Sequence, residues 1–442
     1  MTLSQHVARF RKRRACAQPL PTDVAPYTSS TFFKAKESGV KNKARRWNHR
    51  FSIESARHES SPLKSASRSK QTKLISLGTA RPTPEYYPWT SIHLESLDVP
   101  LNGTSAAGQS AMSCTKGEAA YDFSVAMNYG YSAGSPQLLR FVTEHVEMIH
   151  NPPYDDWETC LTCGTTSALE IAFRMFCNSG DTVLVEQSTY PGTIAAMRGQ
   201  GLGTLGIKMD AFGLVPSDLE QKLGAWDCAA GPKPFVLYMI PTGQNPTGTT
   251  QSAARRRQIY HIAEKHDLYI IEDDPYYFLQ MGSDCSESRG IPQLDDYMAQ
   301  LPPSYLSLDV SGRVLRMDTA SKILAPGLRC GWVTGSSQVV DKFIAYSETS
   351  VLSPSGPSQV MMHKLLDQST TVSSRGWPPC RGNIAQGGTR RSERLRDFSS
   401  PRGRAAGTCP SRECSCGWWS TSGQIARSFI ARGPNRTIWN AV

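Results

Sequence analysis

Between residues 121 and 340 short apolar runs alternate with segments whose apolar positions recur every third or fourth residue. The runs are Thr182-Val-Leu-Val-Glu186, Phe235-Val-Leu-Tyr-Met-Ile240, Leu268-Tyr-Ile-Ile-Glu272, Arg313-Val-Leu-Arg-Met317 and Gly331-Trp-Val-Thr-Gly335. Helical periodicity covers Ser135–His150, Thr165–Cys177 and Gln251–His266; in the second, Ala168, Leu169, Ala172, Phe173 and Phe176 share a face. Continuously apolar strands alternating with helices predict an α/β fold whose mostly parallel sheet is covered on both faces. Ligands bind such sheets where the carboxyl ends of the strands meet the loops.

The chemistry-bearing residues fall at those ends. Lys322, in Asp318-Thr-Ala-Ser-Lys322, sits on the connection between the last two runs, with hydroxyls at Thr319 and Ser321 and a cation at Arg329. A lysine desolvated on a sheet edge has a lowered pKa and acts as a nucleophile. Gly164-Thr165-Thr166-Ser167 opens a helix, where free N–H groups and the helix dipole favour an anion. Tyr190 follows a strand and can stack on a planar ring or simply pack. Asn245, framed by Gln244 and Pro246, presents its amide at a fixed place. Glu272-Asp273-Asp274-Pro275-Tyr276-Tyr277 ends a buried strand in acids, which are costly to bury without a cation. A pyridinium nitrogen is such a cation, and a protonated ring is the electron sink that carbanion chemistry needs.

Charge sharpens this picture. The chain of 442 residues has a net charge of +10. Residues 1–73 carry +13 and residues 369–442 carry +9, leaving −12 on the stretch between them. An acidic middle argues against a nucleic-acid binder. No apolar run approaches the roughly 20 residues that span a bilayer, which argues against a membrane partner. Cys160 and Cys163 lack a second pair or a matching His, so buried free thiols are expected and no metal site. Residues 1–50 read as a basic disordered extension or, alternatively, a mitochondrial transit peptide, so the expected location is cytoplasmic with mitochondrial as the alternative. They lack the periodicity of a winged helix, which argues against a transcription regulator.

Taken in their order, these motifs resemble the class I/II pyridoxal-phosphate aminotransferases of fold type I, and most of all the aromatic and 2-aminoadipate/kynurenine aminotransferases. The resemblance runs from about His49 to Gln368. It implies a three-layer large domain and a small α+β domain. The expected divisions are an extension over 1–50, an N-terminal segment over 51–100, the cofactor-binding domain over 101–345 and the start of the small domain over 346–368. Residues 369–442, rich in Arg and without periodicity, read as out-of-frame or unspliced sequence. The resemblance implies pyridoxal 5'-phosphate held covalently on Lys322, with Asp274 at the pyridine nitrogen, Tyr277 and Asn245 at the ring's phenolic oxygen, and Tyr190 stacking. Gly164, Thr165, Thr166, Thr319 and Arg329 would hold the phosphate. Tyr129, in Asn128-Tyr-Gly-Tyr-Ser-Ala-Gly134, would reach the phosphate of a second subunit in a homodimer. The implied activity transfers the amino group of an aromatic or 2-aminoadipate-like L-amino acid to a 2-oxo acid such as 2-oxoglutarate. A β-elimination (C–S) lyase, or a cofactor-binding but catalytically defective protein, is the alternative. Lys64 stands where relatives have an Arg, and Gly78-Thr79-Ala80 where they have a glycine pair.

Overall fold

The computed structural model describes residues 2–35, 41–59, 82–98, 108–279 and 294–368. Lys64, Gly78-Thr79-Ala80 and the tail over 369–442 lie outside the described residues.

Seven strands form the central sheet: β1 (Trp157–Thr162), β2 (Thr182–Glu186), β3 (Gly203–Ile207), β4 (Val236–Met239), β5 (Tyr269–Asp273), β6 (Val314–Thr319) and β7 (Gly331–Ser336). Their order is β1-β7-β6-β5-β4-β2-β3, with β7 antiparallel to β1 and β6 and every other neighbour parallel. The sheet is covered as its apolar runs require. Helices α3 (Thr165–Phe176), α4 (Pro191–Gly199) and α6 (Ser337–Thr349) bury Phe173, Met197 and Phe343 on one face against Tyr238, Ile271 and Met317. On the other, α2 (Pro136–Ile149) and α5 (Ala253–Lys265) bury Leu138, Val142 and Ile259 against Leu237, Ile270 and Val314. Local chemistry sets the helix starts. Ser135 and Ser252 accept from the N–H of Leu138 and Arg255, and Pro136 occupies the first helical position of α2.

The N-terminal segment departs from its composition. Helix α1 (Leu3–Ala15) starts with a reciprocal cap between Thr2 and Gln5. It docks on α2 through Arg13 to Glu147 at 2.9 Å and Arg14 to Glu144, and on the turn over 364–368 through Arg14 to Asp367 at 2.6 Å. Further on, Ser30 laces the edge strand β1, donating to the Thr159 carbonyl at 3.2 Å and accepting from its N–H at 2.8 Å. Trp47 is fully buried against Tyr269. The disordered extension expected over 1–50 is therefore corrected for 2–35 and 41–50. Its bases are ordered by acids more than a hundred residues away. Similarly, α6 runs unbroken through the domain boundary expected after residue 345. Beyond it come α7 (Gly356–His363) and a turn ending at Gln368.

Candidate active site

The site forms where β5 and β6 end and β7 begins, beside the start of α3. Lys322 lies on the β6–β7 connection, with Nζ 6.0 Å from the centroid of the Tyr276 ring. Tyr276 is hydrogen-bonded to Asn245. Lys322 is exposed rather than desolvated, because the connection it rides on opens to solvent at the end of the sheet. This corrects the expectation of a buried amine.

An anion cradle lies beside it. Gly164 takes φ +85°, and a Cβ there would come within 2.3 Å of Arg329 Nη2. Arg329 adopts a left-handed φ of +48°, an uncommon state for a side-chain-bearing residue that surrounding contacts must hold. It donates to Ser321 Oγ at 3.3 Å and to the Pro326 carbonyl at 2.9 Å. Ser321 Oγ in turn accepts from Thr319 Oγ1 at 3.0 Å. No side chain caps α3, and its first helical bond is from Ala168 N to the Gly164 carbonyl. The amides of Thr165, Thr166 and Ser167 thus precede the helical ladder, next to the Arg329 guanidinium. Tyr190 opens α4 with its ring 36% exposed over Gly192, where a Cβ would lie 2.5 Å from the ring. Tyr129, 56% exposed, lies on the connection before α2.

The structure does not bring Asp274 and Tyr277 into this group. Asp274 accepts from Thr242 at 3.2 Å and from Arg316 at 3.3 Å, within a buried cluster on the α5 face of the sheet. Tyr277 donates to the Pro302 carbonyl at 2.8 Å, its ring 4.7 Å from the Arg316 guanidinium. Strand alternation is the reason. Tyr269 and Ile271 face α3, and so does Asp273; Ile270 and Glu272 face α5, and Asp274 continues that row. Tyr276, beside Lys322, takes the place expected for Tyr277. Both expectations are therefore corrected by one residue, to Asp273 and Tyr276.

Asp273 is buried. Its Oδ2 accepts from Tyr238 at 2.9 Å, while Oδ1 has no hydrogen-bond partner among the described residues. Burial pushes this carboxyl up to about 7, opposed by the Tyr238 hydrogen bond and by Arg316. Asp274 also has an oxygen without a hydrogen-bond partner, but two guanidiniums, Arg316 and Arg256, stand at 3.3 and 3.8 Å from its other oxygen. Of these two, Asp273 is the acid without an ion pair among the described residues.

A three-layer α/β sheet with a lysine between β6 and β7 and an anion cradle at the start of α3 is the large domain of a fold type I pyridoxal-phosphate protein. Residues 100–390 match the family Aminotransferase class I and II, and the chain belongs to that family. It is 53% identical over 333 residues to the aminotransferase swnA of Metarhizium robertsii, covering 74% of this chain but 65% of that protein's length. It is 41% identical over 335 residues to an aromatic amino acid aminotransferase of Schizosaccharomyces pombe, covering 72% and 70% of the two chains. Among solved structures, the aminotransferase Aro8 from Candida albicans superposes with a TM-score of 0.73 at 35% identity over 81% of this chain and 77% of that one.

The residues present fit the cofactor of this family, pyridoxal 5'-phosphate. Asp273 Oδ1 is a buried acceptor waiting for a cationic N–H, and the Gly164–Arg329 cradle is a space that a side chain at 164 would fill. Among the described residues no group of three or more His, Cys, Asp or Glu is placed to hold a metal ion, and no helix is long and apolar enough to cross a membrane.

Proposed function

We propose that this chain is a transaminase that moves the amino group of an aromatic or 2-aminoadipate-like L-amino acid to a 2-oxo acid such as 2-oxoglutarate. One observation carries the reading: a buried carboxylate oxygen without a partner among the described residues, Asp273 Oδ1, on the strand beside the one that leads to Lys322. The bound cofactor supplies an electron sink for the charge left when the α-proton departs. Lys322 would hold the cofactor through Nζ, and its amine, once free, would be the general base that takes the substrate's α-proton and later gives it back. Exposure of Lys322 supports this role, since the amine must meet incoming substrate. Asp273 would keep the ring nitrogen protonated, Asn245 and Tyr276 would hold the phenolic oxygen, and Tyr190 would supply a stacking face. Thr165, Thr166, Ser321 and Arg329 would bind the phosphate through amides, hydroxyls and a guanidinium. Thr319 acts through Ser321.

The aromatic preference follows the names of the relatives. The exposed ring of Tyr129 supports its reaching the phosphate of a second subunit, and hence a homodimer. Helix α1, tied to α2 and to Asp367 by ion pairs, supports a structural role for this segment, and the proposed location is cytoplasmic with mitochondrial as the alternative. The test is to incubate the purified chain and cofactor with Phe, Tyr, Trp, 2-aminoadipate or kynurenine, each with 2-oxoglutarate. Glutamate should form with at least one aromatic donor. Product released without any 2-oxo acid would mark a lyase, and bound cofactor with no product from any donor would mark a binding protein.

A further inference from the structure

We propose that Tyr238 is a positioning residue for Asp273, and that Thr193 sets the direction in which the Tyr238 hydroxyl points. The inference rests on the cofactor-site reading above. Tyr238, on β4, is fully buried with its ring in the apolar layer under α3. It stands opposite Ile271 in the β4–β5 register and reaches two residues along the strand to Asp273. Its hydroxyl donates to Asp273 Oδ2 at 2.9 Å. Thr193, buried in the first turn of α4, donates from Oγ1 to the same phenol oxygen at 3.0 Å.

A phenol has one proton to give. With Thr193 filling a lone pair of the oxygen, that proton goes to Asp273, and the chain runs one way from Thr193 through Tyr238 to Asp273. Three consequences follow. The carboxylate is anchored through Oδ2, so Oδ1 is the oxygen presented to the cofactor nitrogen. Donation to the ionised form stabilises it, offsetting part of the burial that raises Asp273. Thr193 also polarises the donor and strengthens its bond. Because Thr193 sits three residues past Tyr190, the element that presents the ring-stacking aromatic also fixes the acid.

The charged groups acting here come from β2, from β5 and its end, and from β6. Asp274 and Asp318 raise Asp273, Arg316 lowers it, and Glu186 together with Asp273 helps keep Tyr238 protonated. Arg316 is tied to Glu272, Asp274 and Asp318 on the opposite face of the sheet. Tyr238 is therefore the donor on Asp273's own face. At a purely apolar position Phe would serve as well, so the hydroxyl is the informative atom.

The test uses the full chain with pyridoxal 5'-phosphate and the variants Tyr238→Phe, Thr193→Val, Thr193→Ser and the Tyr238→Phe/Thr193→Val pair. Cofactor dissociation constants and the pH titration of the bound cofactor's absorbance are read beside activity. A hydrogen bond to a charged group is strong enough that Tyr238→Phe should weaken cofactor binding by about tenfold or more and move the acid limb upward by about one pH unit. Thr193→Val should shift both in the same direction by about two- to fivefold, and Thr193→Ser should restore them. In the Tyr238→Phe background Thr193→Val should add nothing, since it acts through the phenol. Should Tyr238→Phe fail to fold, Thr193→Val against Thr193→Ser decides alone. Unchanged affinity and pH titration in Tyr238→Phe, or in Thr193→Val, would overturn the proposal, as would additive effects in the pair. A wild-type chain that takes up no cofactor would instead sink the underlying reading.

Discussion

Replacing Arg316 by Met tests how the two faces of the sheet divide the work. The guanidinium is fully buried, 2.9 Å from Glu272, 3.3 Å from Asp274 and 2.8 Å from Asp318. Removing one partner of a buried ion pair costs roughly 3–5 kcal/mol, because the charge left behind is uncompensated. The loss should be that of one pair and not three. Glu272 keeps the N–H groups of Tyr305 and Leu306, and Asp274 keeps Arg256 at 3.8 Å. Asp318 therefore bears most of it. At about 2 °C per kcal/mol the melting temperature should fall by roughly 6–10 °C.

The pH dependence has a definite sign. Burial holds Asp274 at about 6 and raises Asp318, with Arg316 opposing both. A carboxyl raised in the folded state binds its proton more tightly there than in the unfolded chain. Its contribution to stability is thus present at low pH and lost as pH rises through the folded value. Without Arg316 both groups rise further, so the deficit of Arg316→Met should be large at pH 8 and smaller at pH 5. Thermal melts at the two values read this directly. A melting temperature within about 1 °C of wild type at pH 8, or a larger deficit at pH 5, would refute the reasoning.

Two further substitutions separate the faces and the cradle. Asp273→Asn should weaken cofactor binding by about tenfold or more with little change in melting temperature. Asp274→Asn should keep the affinity and lose about 1–2 kcal/mol of stability, read by absorbance titration and melts of both variants. Gly164→Ala forces a Cβ to within 2.3 Å of Arg329 at φ +85°, so cofactor affinity should fall by about tenfold. Gly180→Ala, at φ +94° with nothing within 4 Å, should cost backbone strain alone and leave affinity unchanged.

The alternation of apolar runs was enough to read the sheet and its two covering layers, because strands buried on both faces need continuous apolar sequence. That same continuity hid which face each residue takes. Tyr269, Ile270 and Ile271 are all apolar-ringed or aliphatic, and Glu272, Asp273 and Asp274 are all acidic, so no alternation marked Asp273 as the residue facing α3. A signal was present one strand over. Arg316 stands alone as a cation inside an apolar run and demands carboxylates opposite it, which Glu272 and Asp274 supply. The N-terminal bases were misjudged for a different reason. Glu144, Glu147 and Asp367 order them only after folding has closed a long loop, and local composition has no access to that pairing.

The central claim is that Lys322 holds the cofactor, and titration of the purified chain with pyridoxal 5'-phosphate tests it most directly. The wild-type chain should gain a visible absorbance band that survives dialysis, and Lys322→Ala, still folded by its melt, should lose it. Equal uptake by both proteins, or no band in the wild type, would contradict the account.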